Sequence, residues 1–428
     1  MKQNTEQPVI GVIGLGYVGL PLACLFSKRY RVKGLDINPV RAKDINNGID
    51  TNGDILPETL HKAIENGLTC SSDPEDLREC NVYIVTVPTP VDRYNRPDLQ
   101  PLYDASEKAG RIISPGDIVI YESTVYPGAT EEECVPVIER VSGLKFNKDF
   151  FVGYSPERVN PGDYTRPVNK ICKIVSGSTT EAADFVEKLY NSVLDAPTHR
   201  ASSIKVAEAA KILENTQRDV NIALMNEVAK VFNALGIDTN DVIEAASTKW
   251  NFQKLNPGLV GGHCIGVDPY YLIHKAHAHG VTPRLMTEAR SINDSMSRYV
   301  ASRAGSLLSD CGKAIEGSDI LLLGFTFKEN CRDIRNTKVI DIYNELAHNA
   351  GSVDILDPNA DSEKVKKEYG IDILTSADEI SEKKYDLIIH CVSHAEFNDM
   401  KLKKYLRDHG KIYDLKGTLD RSIVDERL

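Results

Sequence analysis

The feature that most restricts the possible folds is a glycine-rich turn near the start of the chain. The apolar run 9–13 leads into GLGYVGLP, a helical pattern follows, and the next apolar run ends at an acidic residue. In this GxGxxG turn, Gly14 permits the tight bend, Gly16 allows the backbone to approach a pyrophosphate, and Gly19 lets the helix pack closely on the strand. Strand, turn, helix and strand in this order indicate a dinucleotide-binding α/β unit.

The choice between NAD and NADP depends on the residue that ends the second strand. Asp36 stands near the spacing expected for a carboxylate that binds the hydroxyl groups of the adenosine ribose. A carboxylate there would repel a ribose phosphate, which favours NAD. Arg41 could still reach such a phosphate, so NADP remains the alternative and Arg41 is included in the predicted cofactor site. That site also includes Tyr17 and Val18 at the start of the helix.

The same alternation continues beyond the glycine turn and reappears late in the chain. Further strands are predicted within 81–90, 117–125 and 150–157, with helical patterns between them. Strands that alternate with helices indicate a parallel sheet covered on both faces. A second α/β pattern begins at residue 318, but its first loop, GFTFKEN, lacks the glycine turn. This second pattern should therefore bind something other than a dinucleotide held in the same way.

A long segment without Gly or Pro separates the two patterns. Residues 203–235 are followed by Gly236, a good helix stop signal. A continuous helix of this length would reach about 50 Å, so we interpret it as a spine between two domains, with its aliphatic stripe as a subunit interface. A core helix that breaks somewhere is the alternative.

These patterns together predict the fold class and the domain order. The fold is α/β, with two Rossmann-like doubly wound parallel-sheet domains joined by a long central helix. The predicted domains are 1–200 for the dinucleotide, 201–312 for a central helical domain that carries a cysteine motif, and 313–428 for the second Rossmann-like domain. Helices are expected from that motif to about residue 311.

Charge and hydrophobicity exclude several classes of protein. The net charge is −11, and the chain has no basic block or arginine-rich arm, which argues against nucleic-acid binding. No run approaches the roughly 20 apolar residues that a membrane span requires. The polar N-terminal segment lacks the apolar core of a signal peptide, so a cytoplasmic location is predicted.

Two further patterns could indicate a metal or disulfides. The nine cysteines are an odd number without a CxxC pair, which fits reduced thiols better than a disulfide framework or a zinc site. The cluster HKAHAH contains His274, His277 and His279, but no carboxylate or thiol lies beside it at ligand spacing. A solvated helix face explains the histidines, and no metal is predicted.

The most unusual stretch is PGLVGGHCIGVDPYYL at 257–272. It places Cys264 between glycines, with Asp268 four residues further on. A buried structural thiol is the ordinary role of a lone cysteine, and His263 beside it raises the alternative of a Cys–His pair. In a chain that binds NAD, however, a thiolate can add to an aldehyde, and oxidation of the resulting thiohemiacetal gives a thioester that water releases as a carboxylate. Such a thiol should be partly ionised and exposed.

Polar residues that could assist this chemistry occur in three other motifs. Lys211 and Asn215 are four residues apart and lie on one helical face, with Glu208 one turn earlier. A lysine on a helix is more often a solvated surface residue. Glu157 and Thr124 lie at predicted strand ends, where α/β proteins gather their functional groups.

Seven motifs spread over nearly the whole chain carry a family resemblance. They occur in the order GLGYVGLP, VPTP, ESTV, SPER, AAKILEN, GGHCIGVD and GFTFKEN followed by DIRNT. In this order the chain resembles the nucleotide-sugar 6-dehydrogenases, which act on UDP-glucose and UDP-N-acetylhexosamines. The resemblance implies NAD as cofactor, a UDP-sugar held mainly by the C-terminal domain, and a homodimer formed through the central helix.

The resemblance also implies roles for individual residues. Cys264 would be the nucleophile. Lys211, Asn215 and Thr124 would orient the reacting oxygen and the attacking water, with the lysine offsetting negative charge. Proton transfer in thioester hydrolysis would fall to one of two carboxylates, and the choice stays open: Glu157 or Asp268.

The implied binding residues fall into two groups. Further contacts to the cofactor are implied at four positions: Pro88, Thr89, Thr124 and Arg335. Contacts to the sugar nucleotide are implied at nine positions: Glu157, Arg158, Lys211, Asn215, Gly258, Gly261, Gly262, Lys328 and Lys416. Lys416 stands where an arginine is expected, which puts that substrate contact in doubt.

The residues around the cysteine indicate a subgroup. The motif and Gly266, in place of the proline of other branches, favour enzymes that oxidise UDP-N-acetylglucosamine, then UDP-N-acetylgalactosamine, to uronic acids for surface polysaccharide. UDP-N-acetylmannosamine and UDP-glucose are the alternative sugars. A two-electron β-hydroxyacid dehydrogenase or a regulatory cofactor-binding protein are alternatives of other classes, but neither needs Cys264 together with a second α/β domain.

Overall fold

The computed structural model describes residues 7–159 and 167–428. The chain divides into two compact units. One takes the chain up to Glu214 together with Tyr270–Val281, and the other takes Asn215–Pro269 and Thr282–Leu428. The predicted segment 201–312 contributes to both units, and the three predicted domain ranges stay predictions.

The first unit is built on an eight-stranded sheet in the order β3-β2-β1-β4-β5-β6-β7-β8. Its strands are β1 Val9–Ile13, β2 Arg31–Leu35, β3 Thr69–Ser71, β4 Val82–Val85, β5 Ile118–Tyr121, β6 Phe151–Tyr154, β7 Ile174–Gly177 and β8 His199–Arg200. All residues of β4 and β5 are buried, as expected for strands covered on both faces. The helices of this unit are α1 Gly19–Phe26, α2 Pro39–Asn46, α3 Pro57–Glu65, α4 Gln100–Ile112, α5 Val135–Ser142 and α6 Thr180–Asn191.

One strand pair departs from the expected parallel sheet. β6 and β7 pair antiparallel, whereas the other neighbours in this sheet are parallel. A parallel connection needs a crossover of a dozen or more residues, usually a helix. Among the described residues between these two strands, the only helix is the short 3₁₀ turn Val168–Lys170. The fold class is confirmed, and this pair is the antiparallel exception in an otherwise parallel sheet.

The second unit has a five-stranded parallel sheet in the order β10-β9-β11-β12-β13. Its strands are β9 Asp319–Leu323, β10 Ser352–Leu356, β11 Tyr385–His390, β12 Leu406–Asp414 and β13 Glu426–Arg427. Successive residues of β9 enter two different apolar clusters, one on each face of the sheet. The predicted second Rossmann-like pattern is therefore present, with both faces buried.

The predicted long helix is continuous. It is α7 Ile204–Leu235, 32 residues long, and Gly236 follows it with φ +71°. The left-handed conformation is easy for glycine and ends the helix. The alternative of a broken helix is wrong. The remaining helices are α8 Thr239–Ser247, α9 Asp268–Ala278, α10 Arg284–Asp294, α11 Met296–Ser309, α12 Val339–Ala347 and α13 Ser362–Tyr369.

Candidate active site

The glycine turn between β1 and α1 has the geometry that each glycine requires. Gly14 has φ +97°, and its carbonyl accepts a hydrogen bond from the Thr86 hydroxyl at 2.6 Å. A Cβ at Gly19 would lie 1.8 Å from the Gly14 carbonyl oxygen. The tight turn and the close packing predicted for these two positions are both confirmed.

The middle glycine faces open space. A Cβ built on Gly16 meets no atom within 4 Å, so a ligand can approach the backbone closely there. Asp36 fixes the same turn, because its Oδ2 accepts the Leu15 amide at 3.0 Å and its Oδ1 accepts the Asn38 amide at 2.9 Å. An open glycine backbone beside a carboxylate fits the pyrophosphate and ribose of a dinucleotide.

Arg41 is held inside the protein. Its guanidinium forms an ion pair with Asp50 at 2.6 Å and donates to the Leu15 carbonyl at 3.0 and 3.2 Å. The side chain is only 7% exposed. These contacts brace the turn that carries Leu15, so they support a positioning role more than contact with a ribose phosphate.

The cysteine motif forms a turn that leads directly into α9. The Cys264 carbonyl accepts the amides of Val267 at 3.1 Å and Asp268 at 2.8 Å, and the cysteine is half-buried. Asp268 begins the helix, and its Oδ2 accepts a hydrogen bond from Asn215 Nδ2 at 2.5 Å. Three of the predicted catalytic residues are thus assembled in the second unit.

The two glycines before the cysteine pack against distant loops. A Cβ on Gly262 would lie 2.8 Å from the Phe327 ring, and one on Gly261 would lie 2.8 Å from the Asn336 carbonyl oxygen. Gly262 also has φ +78°. Close packing therefore accounts for both glycines.

An asparagine in the middle of α7 holds the start of the same loop. The Asn226 amide accepts the Gly258 N–H at 2.7 Å and donates to its carbonyl at 3.0 Å. Asn226 also donates to Asn293, which in turn donates to Asp219. Sequence reasoning missed Asn226, because a polar residue within a long helix carries no signal of a partner 32 residues away.

Two further residues near this loop, one of them the predicted cofactor residue Arg335, have partners of their own. His263 Nδ1 lies 3.5 Å from the Asp333 carboxylate. Arg335 pairs with the same carboxylate at 2.6 Å. Burial raises the pKa of Asp333, but the hydrogen bonds and the charge of Arg335, with the charge of His263, together outweigh burial and hold that pKa below its usual value. His263 thus lies beside a carboxylate as well as beside Cys264 in the chain.

Three of the predicted substrate residues line one cleft in the second unit. Gly261, Lys328 and Lys416 all border it, and its volume is about 350 Å³ including the solvent at its mouth. Lys416 Nζ lies 3.8 Å from Glu329. Two lysines beside an open cleft can bind an anionic ligand such as a diphosphate.

Two buried His–Asp pairs fix the loops that carry these lysines. His394 Nδ1 accepts the Asn330 amide, while Nε2 lies 3.0 Å from Asp357, which accepts the amides of Phe325 and Thr326. The second pair is His390 and Asp414; this aspartate accepts the amides of Lys416 and Leu419. All four side chains end or follow strands of the five-stranded sheet, and the sequence analysis missed them.

The remaining predicted catalytic residues belong to the first unit. Lys211 is only 8% exposed, so it is not the solvated surface lysine that the sequence allowed. Within 7–159 and 167–428, its Nζ has no hydrogen-bond or ion-pair partner. Glu208, one turn earlier, is fully buried and accepts the amides of Gly128 at 2.5 Å and Thr130 at 2.9 Å. Burial raises the pKa of Glu208 to about 7.

Glu157, three residues beyond β6, is fixed by the backbone amides of the two residues that follow it. Its Oε1 accepts the amides of Arg158 at 2.6 Å and Val159 at 2.5 Å. The Arg158 side chain instead pairs with Glu214 at 2.7 Å and donates to the Cys172 carbonyl at 2.6 Å. Glu157 therefore has a defined position, whereas Arg158 is engaged within the protein.

Three domain models of one family match the chain in succession. The NAD binding domain of the UDP-glucose/GDP-mannose dehydrogenase family matches residues 9–194, the central domain matches 205–295, and the UDP binding domain matches 321–421. The chain belongs to this family. The resemblance carried by the seven motifs is confirmed, and the open glycine turn lies within the part of the chain that matches the NAD binding domain.

Relatives in this family cover the chain from end to end. A UDP-N-acetyl-D-glucosamine 6-dehydrogenase of Pseudomonas aeruginosa is 52% identical over 98% of this chain and 99% of its own. Another, of Salmonella typhi, is 50% identical over 99% of both. Among solved structures, a UDP-D-ManNAc dehydrogenase from Pyrococcus horikoshii is 31% identical, covers 98% of both chains and superposes with a TM-score of 0.87. This chain is an NAD-dependent oxidoreductase of the nucleotide-sugar dehydrogenase family.

Within the described ranges, no helix combines the length and the hydrophobicity that crossing a bilayer requires. In the same part of the chain, no group of three or more His, Cys, Asp or Glu side chains is arranged to hold a metal ion.

Proposed function

We propose that this family member oxidises the C6 hydroxymethyl group of UDP-N-acetylglucosamine to a carboxylate. The identity of 50–52% to two UDP-N-acetyl-D-glucosamine 6-dehydrogenases, against 31% to the UDP-D-ManNAc enzyme, supports this sugar. The observation that carries the chemistry is the turn in which Cys264 leads into Asp268, with Asn215 bonded to that carboxylate. UDP-N-acetylgalactosamine is the second candidate substrate.

The overall reaction balances with one thiol and one water. Bound NAD serves as the hydride acceptor in each of the two oxidations. Between them the Cys264 sulfur bonds to the aldehyde carbon, and the former carbonyl oxygen takes a proton to give a thiohemiacetal. After the second oxidation water attacks the thioester carbon, the C–S bond breaks and the thiol is regenerated. Each substrate consumes one water and yields one carboxylate, two NADH and three protons.

The chain's own residues divide the remaining tasks. Lys211 carries a positive charge in a mostly buried position, where it can offset negative charge on the substrate oxygen. Asn215 orients Asp268 beside the cysteine turn. Either Asp268 or Glu157 takes the proton from the attacking water. Lys328 and Lys416 bind the diphosphate at the cleft of the second unit.

The stoichiometry tests this proposal directly. We expect two NADH for each UDP-N-acetylglucosamine consumed, because the thiol retains the aldehyde until the second oxidation. The measurement is NADH absorbance with limiting sugar nucleotide, and the product is identified by mass. UDP-glucose, UDP-N-acetylgalactosamine and UDP-N-acetylmannosamine are compared under the same conditions.

Each outcome of this panel has a defined meaning. One NADH with an aldehyde product would contradict the thioester chemistry. Two NADH with a higher kcat/KM for another sugar would overturn the choice of UDP-N-acetylglucosamine but leave the reaction intact.

We also propose a homodimer formed through α7. Five large aliphatic side chains on this helix are 48–66% exposed in the single chain. Three of them are spaced by eleven residues, or three helical turns, and so lie on one stripe. An exposed apolar stripe of this length is typical of a subunit interface. The five are Val206, Leu213, Leu224, Val231 and Leu235.

Charges placed on this stripe should break the dimer. We expect the double change Leu213→Arg and Leu224→Arg to raise the dimer dissociation constant about a hundredfold or more, because unpaired charges in an interface cost several kcal/mol. Light scattering across a concentration series measures this. Leu285→Arg is the matched control, since Leu285 is 70% exposed on another helix. An unchanged mass for the double variant would exclude the stripe as the interface.

A further inference from the structure

A buried lysine lies between the ends of two neighbouring strands in the first unit. Lys173, immediately before β7, is 1% exposed, and its Nζ donates to Glu122 Oε2 at 2.6 Å. Glu122 directly follows β5 and is also 1% exposed. The Tyr190 hydroxyl donates to the other oxygen of Glu122. A fully buried ion pair is costly to desolvate, so its retention calls for a role beyond stability.

The same ammonium group reaches the end of β6, where Glu157 lies. Lys173 Nζ donates to the Pro156 carbonyl at 3.2 Å and lies 3.8 Å from Glu157 Oε2. It therefore holds the residue before Glu157 by a hydrogen bond and the Glu157 carboxylate by charge. Two carboxylates share one cation, and Glu122 is the nearer.

We propose that Lys173, held in place by Glu122, is a positioning residue that fixes Glu157 and places a positive charge beside its carboxylate for thioester hydrolysis. The inference rests on the proposed function and deepens it, because it selects Glu157 over Asp268 as the proton acceptor. Lys173 itself does not take part in the chemistry. It acts only through Glu157.

The charges around the lysine support this division of roles. Within the described part of the chain, the charged or titratable side chains in contact with Lys173 are Glu122, Glu157 and Tyr190. Burial raises the pKa of Glu122, the lysine charge opposes that rise, and the Glu157 charge adds to it. The charge of Glu157 therefore acts on Glu122, and both carboxylates lie beside the Lys173 ammonium.

This arrangement predicts shifts of opposite sign in two variants. Lys173→Met removes the cation beside Glu157. The acid limb, which is the low-pH side of the pH–rate profile for thioester hydrolysis, should therefore move to higher pH by about one unit or more. Glu122→Gln leaves the cation to Glu157 alone, so the acid limb should move to lower pH. Lys173→Arg keeps the charge and should restore the wild-type limb.

The step is measured directly rather than from steady-state turnover. Enzyme is mixed with UDP-N-acetylglucosamine and NAD at each pH and quenched in acid, and the acyl adduct on Cys264 is followed by intact-protein mass. The decay of the adduct gives the hydrolysis rate, and the first NADH formed gives an internal control that Lys173 should not affect. Glu157→Gln should abolish the acid limb.

The outcomes separate this inference from the proposed function. Lower rates with an unmoved acid limb in both variants would mean a structural role and overturn it, as would an acid limb that survives Glu157→Gln. If Lys173→Met does not fold, the direction in which the acid limb moves in Glu122→Gln decides the outcome alone. Carbon-13 NMR of labelled glutamate measures the titration of Glu157 in each variant without turnover, and Glu157→Gln identifies its signal. An absence of NADH and adduct in the wild type counts against the proposed function only.

Discussion

Replacement of Cys264 by alanine should abolish acid formation while UDP-sugar binding persists. The substitution removes the sulfur that is proposed to hold the aldehyde as a thiohemiacetal, and loss of a covalent nucleophile lowers turnover by roughly 10⁴-fold or more. The sugar nucleotide is proposed to be held by Lys328 and Lys416 rather than by the thiol, so its dissociation constant should change little. Calorimetry measures binding, and mass spectrometry measures the acid.

The matched control is another half-buried cysteine. Cys311 lies just beyond α11, and its Sγ donates to the Leu307 carbonyl. Cys311→Ala should keep full turnover with both NADH formed. Acid production by Cys264→Ala at the wild-type rate would show that the thiol is structural, which is the ordinary role of a lone cysteine.

Local rules were enough to predict the glycine turn and the long helix. Gly14 and Gly19 act on neighbours within β1, α1 and the end of β4, and that unit has a characteristic order in sequence. Helix α7 follows from an uninterrupted run without Gly or Pro. These elements depend on backbone geometry that is encoded over a few residues, so the pattern alone specifies them.

The cysteine motif was only half predictable. Its reactivity could be inferred from the residue types, and the Asn215–Asp268 bond joins two residues that the motifs had already selected. The reason for its two glycines could not be inferred, because Phe327 and Asn336, which contact them, lie more than 60 residues further along the chain. A glycine required by a distant neighbour looks the same in sequence as one required by a turn.

The buried polar clusters were the features that could least be predicted from the sequence. Glu122 and Lys173 are 51 residues apart, and Lys173 precedes an apolar strand with no motif around it. The antiparallel pairing of β6 with β7 brings Glu157 and Lys173 to the same edge of the sheet. Sequence reasoning assumed parallel order there, so it could not place a cation beside the predicted base.

A single methyl group on Gly16 should separate cofactor binding from folding. Gly16→Ala adds a Cβ where no protein atom lies within 4 Å, so the free energy of unfolding should stay near that of the wild type. The same methyl group would occupy the space where the NAD pyrophosphate approaches the backbone. Overpacking costs about 1–3 kcal/mol, which raises the NAD dissociation constant roughly five- to 150-fold.

Gly19→Ala, three residues away, makes the matched comparison. Its Cβ would lie 1.8 Å from the Gly14 carbonyl oxygen and 2.4 Å from the Thr86 hydroxyl, so this variant should lower the melting temperature. Calorimetry of unfolding and NAD titration by fluorescence distinguish the two effects. Unchanged NAD affinity in a stable Gly16→Ala protein would mean that the pyrophosphate does not approach this glycine. Loss of affinity without loss of stability would assign Gly16 to the ligand and Gly19 to the fold, although both belong to one motif.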